Sequence, residues 1–226
     1  MKRYSEISKY RKSFDVITNW VHYPIASYLC AILSYTSITP NQITLLAIIS
    51  ELSAVYLIVS NFEANTIAIV VLLQLGLIFD LMDGMMARYK KMGFYHPKSP
   101  SNRGFYLDSI SDHVLRFLIL GTLAYHFSEQ NANGWILGLL AIVIHGITQT
   151  EHTLRTMITK SNSRKPKNPD KKENFVGHIA LLLNNVYLFY FVFILLNRID
   201  LLLITFAIAE ITLFIKRVAL FWISEP

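Results

Sequence analysis

Cys30 is the only cysteine in a chain of 226 residues. An internal disulfide is thereby excluded, and so is a cysteine cage for a metal. Charge is scarce as well: Asp, Glu, Lys and Arg make up 16% of the residues, short of the roughly one quarter usual in soluble domains. There is no internal repeat. The basic start is followed by no compact apolar run, so the order of a signal peptide is missing. The single low-complexity stretch is S-N-S-R-K-P-K-N-P-D-K-K-E-N (161–174). It is too polar to form a core and reads as a solvated cytoplasmic tether near an anionic surface.

What is present is apolar: 53% of the side chains. At about 20 apolar residues per crossing, the pattern predicts six helices, at 41–60, 65–87, 105–127, 134–158, 175–197 and 199–223. The expected fold is an all-α polytopic membrane bundle. Lys and Arg gather in the N-terminal tail (Lys2, Arg3, Lys9, Arg11, Lys12), in the 88–103 connection and in the 160–172 connection. The alternating segments N-F-E-A-N (61–65) and S-E-Q-N-A-N-G (128–134) have neither residue. The positive-inside rule then puts both termini in the cytoplasm, with Arg198 in the N-R-I-D turn as an exception. The net charge of +6 reflects this topology and anionic headgroups rather than nucleic acid. Residues 23–38 are short for a crossing and follow a basic, aromatic lead-in (Tyr4, Tyr10, Phe14, Trp20), which fits an interfacial amphipathic helix better than a seventh span. The expected organisation is therefore a cytoplasmic tail with an interfacial helix over 1–38 and a six-span catalytic domain over 39–226.

The chemistry gathers in D-L-M-D-G-M-M-A-R (80–88) and G-F-Y-L-D-S-I-S-D (104–112). Carboxylates close to hydrocarbon are expensive, and divalent cations are the natural partner of an all-oxygen group. The second span runs outside to inside and the third returns, so Asp80, Asp83, Asp108 and Asp112 are expected to converge at the cytoplasmic face. Asp80, Gly84 and Arg88 follow one i+4 ridge, with Asp83 and Ala87 on adjoining positions, and Gly104, Asp108, Asp112 and Arg116 form another. Such a notch suits two Mg²⁺ or Mn²⁺ ions bridging a pyrophosphate. Gly84, Ala87 and Gly104 lack bulk, which admits a nucleotide. Arg88 offers a fork for phosphate oxygens. Asp112, one turn deeper than Asp108, is placed to take a proton from a hydroxyl. The plainer alternative is a set of helix-end carboxylates neutralised by neighbouring Lys and Arg.

These two segments resemble the signature of the CDP-alcohol phosphotransferase (CDP-alcohol phosphatidyltransferase) family, D-x-x-D-G-x-x-A-R followed by G-x-x-x-D-x-x-x-D. I-T-P-N-Q-I-T (38–44) is similar to that family's T-P-N-x-x-T entry to its first span. The resemblance implies an integral membrane enzyme, a homodimer, that cleaves a CDP-linked alcohol and moves the phospho-alcohol onto another hydroxyl with release of CMP. Carried over by position, Asp80, Asp83 and Asp108 ligate the metals, and Asp112 completes that site and serves as general base. Asp80, Gly84, Ala87, Arg88 and Gly104 line the CDP pocket, with Asn41 near it. The 89–103 connection is longer than the family's usual one and reads as an enlarged cytoplasmic loop over the active site.

The acceptor is expected among the remaining polar residues in the spans. Arg116 lies one turn beyond Asp112, and Arg155 shares the cytoplasmic half of the fourth span with His145, Gln149, Glu151 and His152. Glu151 and Arg155 also have the spacing of a simple i, i+4 pair. His145 suits a structural hydrogen bond better than zinc, since no third soft ligand accompanies it and His152. The start of the fifth span, E-N-F-V-G-H (173–178), has no Arg, which argues against an inositol phosphate acceptor. His113 follows the base position where Arg or Lys is frequent. The donor is CDP-diacylglycerol with a polar headgroup acceptor, or a CDP-linked small alcohol with a lipid acceptor. The Met cluster (Met82, Met85, Met86, Met92) and the aromatic run 187–193 read as lipid-facing or packing surface with no function of their own. The rival class is a divalent-cation transporter or channel, weakened by the confinement of the aspartates to one face with no acidic partner expected near the middle of another span.

Overall fold

The I-T-P-N-Q-I-T segment is a helix start in the structure. Thr39 is extended, its side chain accepts from the Gln42 N–H, the Gln42 side chain accepts from the Thr39 N–H at 2.8 Å, and Pro40 fills the first helical position. Reciprocal capping of this kind satisfies backbone donors that a helix start leaves orphaned. A computed structural model of the chain describes residues 2–12, 15–162 and 185–224. Phe14, the 163–174 part of the tether and the first ten residues of the expected fifth span lie outside them.

Among the described residues every regular element is helical. In chain order these are α1 (Lys2–Ser8), a wide turn at Thr18–His22, α2 (Tyr23–Leu33), α3 (Pro40–Lys90), a short turn at Gly93–Tyr95, α4 (Arg103–Gln130), α5 (Gly134–Asn162), α6 (Val186–Leu195) and α7 (Ile199–Ser224). Two helical stretches, Pro40–Tyr95 and Gly134–Ile158, are long and apolar enough to cross a membrane.

α3 is a hairpin that carries two of the expected spans. At Asn61 the backbone leaves the helix (φ −166°, ψ 90°), and the Asn61 side chain caps the return arm by accepting from the Ala64 N–H at 3.1 Å. The expected N-F-E-A-N loop is thus a single non-helical residue. The arms run antiparallel: Ser50 Oγ donates to the Leu72 carbonyl at 2.8 Å. At the opposite end, Lys90 Nζ donates to the carbonyls of Thr36 and Ile38 at 2.9 and 2.8 Å. The end of the second arm is thereby tied to the start of the first.

Around this hairpin lie two apolar clusters. One joins both arms near the Asn61 end to α4, α6 and α7 through Phe62, Leu73, Leu120, Tyr190 and Phe206. The other packs α1 and α2 on the second arm through Ile7, Tyr23, Cys30, Met82, Met85 and Met86. Those three methionines are fully buried, as packing residues should be. α2 buries Tyr23, Ala26, Ser27 and Cys30 and leaves Ile25, Tyr28 and Ile32 exposed, giving it one apolar inner face and one free face. Asp15 pins the N-terminal segment: its carboxylate accepts from the Ile17 and Thr18 N–H groups and from Asn185 Nδ2 at 3.0 Å.

Candidate functional site

The second arm of α3 and the first turns of α4 bring three of the four aspartates together. Asp80, Asp108 and Asp112 each offer an oxygen, and these atoms lie within 4.8 Å of one another. Asp83 sits apart. Three residues turn a helix by about 300°, so Asp83 stands about 60° off the Asp80 ridge and faces the first arm, where it accepts from Thr44 Oγ1. The second Thr of the I-T-P-N-Q-I-T segment therefore orients a carboxylate of the site. Asp80 and Asp108 are half-buried, whereas Asp112 is exposed.

Among the described residues no Lys or Arg forms an ion pair with any of these four carboxylates. The plainer alternative, helix-end carboxylates neutralised by basic neighbours, has no pair to rest on. Three converging carboxylates that form no ion pair with Lys or Arg among the described residues fit a hard divalent cation, which oxygen ligands prefer.

The residues expected at the nucleotide gather at the same end of the hairpin. A Cβ on Gly104 would lie 2.8 Å from Asn41 Oδ1, so any larger residue there would have to push the Asn41 side chain aside. Arg88 is anchored by Nε donating to the Tyr10 carbonyl at 3.0 Å, and its guanidinium lies over Gly84, 3.3 Å from where a Cβ would be. The space that Gly84 opens thus receives Arg88 itself. Ala87, half-buried, sits one residue before it.

The two acceptor candidates part company. Arg116 is within electrostatic reach of Asp112. Arg155 Nε instead lies 3.4 Å from Glu151 Oε1, and both line a groove of about 610 Å³ between α5 and α7 with Ile147, Leu154, Phe214 and Trp222. His145 makes the structural hydrogen bond expected of it, Nδ1 to Glu210 Oε1 at 2.8 Å.

One residue escapes the sequence reading. Glu51, in the first arm of α3, is 5% exposed, and its Oε1 accepts from the Tyr187 hydroxyl at 2.7 Å. It rests on Gly76, where a Cβ would fall 2.6 Å from Glu51 Cγ. The signal was there: Glu51 is the lone charged residue of the expected first span. Glu51 and the buried Glu210 also correct the expectation that no acidic residue lies near the middle of another span. Tyr187, within the aromatic run, does more than pack.

A profile of the CDP-alcohol phosphatidyltransferase family matches residues 37–222. The chain belongs to that family. Its reaction is phosphatidyl-type transfer from a CDP-alcohol, with CMP leaving, as in phospholipid biosynthesis, and that family is membrane-bound. No curated protein matches the sequence. Among solved structures, Mycobacterium tuberculosis phosphatidylinositol phosphate synthase (PgsA1) with CDP-DAG bound shares the fold at a TM-score of 0.58 and 16% identity, over 86% of this chain and 92% of that one. Family membership, rather than the confinement of acids to one face, is what sets the transporter reading aside.

Proposed function

We propose that this phosphatidyltransferase is metal-dependent, with Asp80, Asp83, Asp108 and Asp112 holding two divalent ions, Mg²⁺ or Mn²⁺. The observation that carries this reading is the approach of three carboxylates to within 4.8 Å with no Lys or Arg ion pair among the described residues. When bound, such ions would supply charge neutralisation for the attacking and leaving oxygens of the pyrophosphate displacement. Thr44 fixes Asp83, while Asn41, Asp80, Gly84, Ala87, Arg88 and Gly104 bound the CDP pocket at the hairpin end. The CDP-DAG held by the structural relative supports a diacylglycerol-linked donor.

Asp112 acts as general base. It is the most exposed of the three converging carboxylates, open to an incoming alcohol. It takes the acceptor's hydroxyl proton as that oxygen bonds to the phosphorus bearing the donor alcohol. The bond from that phosphorus to the bridging oxygen breaks, and CMP leaves with the electron pair. Arg116, rather than the Glu151-paired Arg155, faces the acceptor.

This reading includes six crossings, two of them the arms of α3. It also includes an interfacial N-terminal segment over 1–38, the catalytic domain over 39–226, cytoplasmic termini, a cytoplasmic active site and a homodimer. The lysines and arginines of the N-terminal tail and the 88–103 connection support that orientation.

The test is CMP release by the purified chain with CDP-alcohols and a set of acceptors. Release is expected only with Mg²⁺ or Mn²⁺, to vanish with chelator and to return on adding the ion. Asp112→Asn is expected to lower kcat by about two to four orders of magnitude while metal-dependent CDP binding persists. Normal turnover in that variant would remove the base assignment.

A further inference from the structure

A cluster of polar side chains lies one helical turn, about 6 Å, deeper than the aspartates. Gly76 stands one turn before Asp80 on the second arm of α3, and Arg116 one turn after Asp112 on α4. Glu51 lies against Gly76, and Arg116 is within electrostatic reach of Glu51, Tyr187, Tyr190 and Glu210. These groups have bonding capacity to spare. Glu51 gives Oε1 to the Tyr187 hydroxyl, and its Oε2 has no hydrogen-bond partner among the described residues. The Tyr190 hydroxyl is buried without a partner, in a residue 1% exposed. The Arg116 guanidinium makes no hydrogen bond or ion pair among the described residues. Buried polar groups are almost always satisfied, because leaving them bare is unfavourable. The Tyr190 hydroxyl is such a buried open group, and with the spare capacity of Glu51 Oε2 and of the half-buried Arg116, directly below the reacting centre, it matches a polar ligand.

The donor and acceptor inventory narrows that ligand. Glu51 Oε2 requires a donor, Arg116 requires an acceptor, and the Tyr190 hydroxyl can serve either way. A second hydroxyl satisfies each of them, and an ammonium group satisfies Glu51. A phosphate suits this cluster poorly: among the described residues Arg116 is its one cation, already within electrostatic reach of the Glu51 and Glu210 carboxyl groups, so a dianion would meet one positive charge beside two acidic groups. We propose that Glu51, Arg116, Tyr187 and Tyr190 seat the acceptor, and that Glu51 selects a small unphosphorylated alcohol whose further hydroxyl or ammonium group donates to it. The inference rests on the transferase reading and adds the acceptor's chemistry to it. One hydroxyl of such a ligand would stand at Asp112 while another reaches Glu51.

The experiment uses the full chain in lipid nanodiscs with Mg²⁺ or Mn²⁺ and a panel of CDP-alcohol donors, CDP-diacylglycerol included. The acceptors are a polyol (inositol, glycerol), an amino alcohol (serine, ethanolamine) and a polyol phosphate (glycerol phosphate). Wild type is expected to use a polyol or an amino alcohol in preference to the phosphate, the panel showing which donor group meets Glu51. Glu51→Gln should raise the KM for that acceptor about tenfold to a hundredfold, the loss expected for a hydrogen bond to a charged group, and leave the donor KM unchanged. Glu51→Asp should restore part of the loss. Gly76→Ala, which drives a methyl group into Glu51, should reproduce the KM effect with the carboxylate intact. Where Glu51→Gln does not fold, Tyr187→Phe and Tyr190→Phe, each lacking only a hydroxyl, carry the same expectation at smaller size. Preference for the phosphorylated acceptor, or variants that lower kcat with the acceptor KM untouched, overturns the selection by Glu51 and leaves the transferase intact. Absence of CMP release from wild type with every donor overturns both.

Discussion

Thr44 shows how much of this site hangs on single hydroxyls. Its Oγ1 lies 3.2 Å from the Pro40 carbonyl of its own helix and also reaches Asp83. A hydroxyl has one proton, and giving it to Asp83 fixes the carboxylate that helical phase turns away from the other three. Thr44→Val keeps the shape and removes the donor. Because groups that orient metal ligands commonly matter tenfold or more to metal affinity, the Mg²⁺ concentration for half-maximal CMP release should rise about tenfold in Thr44→Val, with kcat at saturating metal near wild type. An unchanged metal titration would detach Asp83 from the metal. The aspartates could be read from sequence because i+4 spacing maps onto one helix face without knowledge of any neighbour. Glu51 and Tyr190 could not, since their meaning depends on which residues the fold sets opposite them. Nothing local pairs position 51 with 76 or 187.

Between elements, the same limit separates the legible from the illegible. The two expected spans at 41–60 and 65–87 correspond to the arms of α3, because their apolar runs are long, with Glu51 the one charged residue between 41 and 60 and none between 65 and 79. The mostly polar N-F-E-A-N between them suggests a loop, whereas the structure needs only Asn61 to reverse the chain. α5 and α7 illustrate a different bond. His145 and Glu210, both buried, meet at 2.8 Å, and each alone would be an unpaired polar group among apolar neighbours. His145→Leu should therefore destabilise the protein by about 3 kcal/mol, and His145→Leu with Glu210→Leu should recover most of that loss, because replacing a whole buried pair by apolar groups is often neutral. The midpoint of thermal unfolding in detergent reads both variants. A double variant no more stable than the single one would give the pair another role.

At the scale of the whole molecule, the orientation makes a prediction that Cys30 renders clean. It is the only cysteine and is fully buried, so Cys30→Ala gives a silent background for added thiols. In sealed vesicles of known sidedness, Asn102→Cys should react with a membrane-impermeant thiol reagent from the cytoplasmic side alone, and Asn131→Cys from the opposite side alone. Both positions are exposed, at the start of α4 and at its far end. The reverse pattern would invert the molecule and move the active site to the other face.

The α3 hairpin also bears on how this protein is made. Asn41, Thr44, Asp80, Asp83, Gly84, Ala87 and Arg88 all belong to one helical hairpin reversed at Asn61, so once its arms begin to pair there each further contact toward the site closes only a small additional loop. Closing short loops is entropically cheap, and local contacts form early. The half of the site proposed to hold the nucleotide can therefore take shape as soon as residue 91 has left the ribosome, before Asp108 and Asp112 exist. The second pair then arrives on α4 to a half-site already formed.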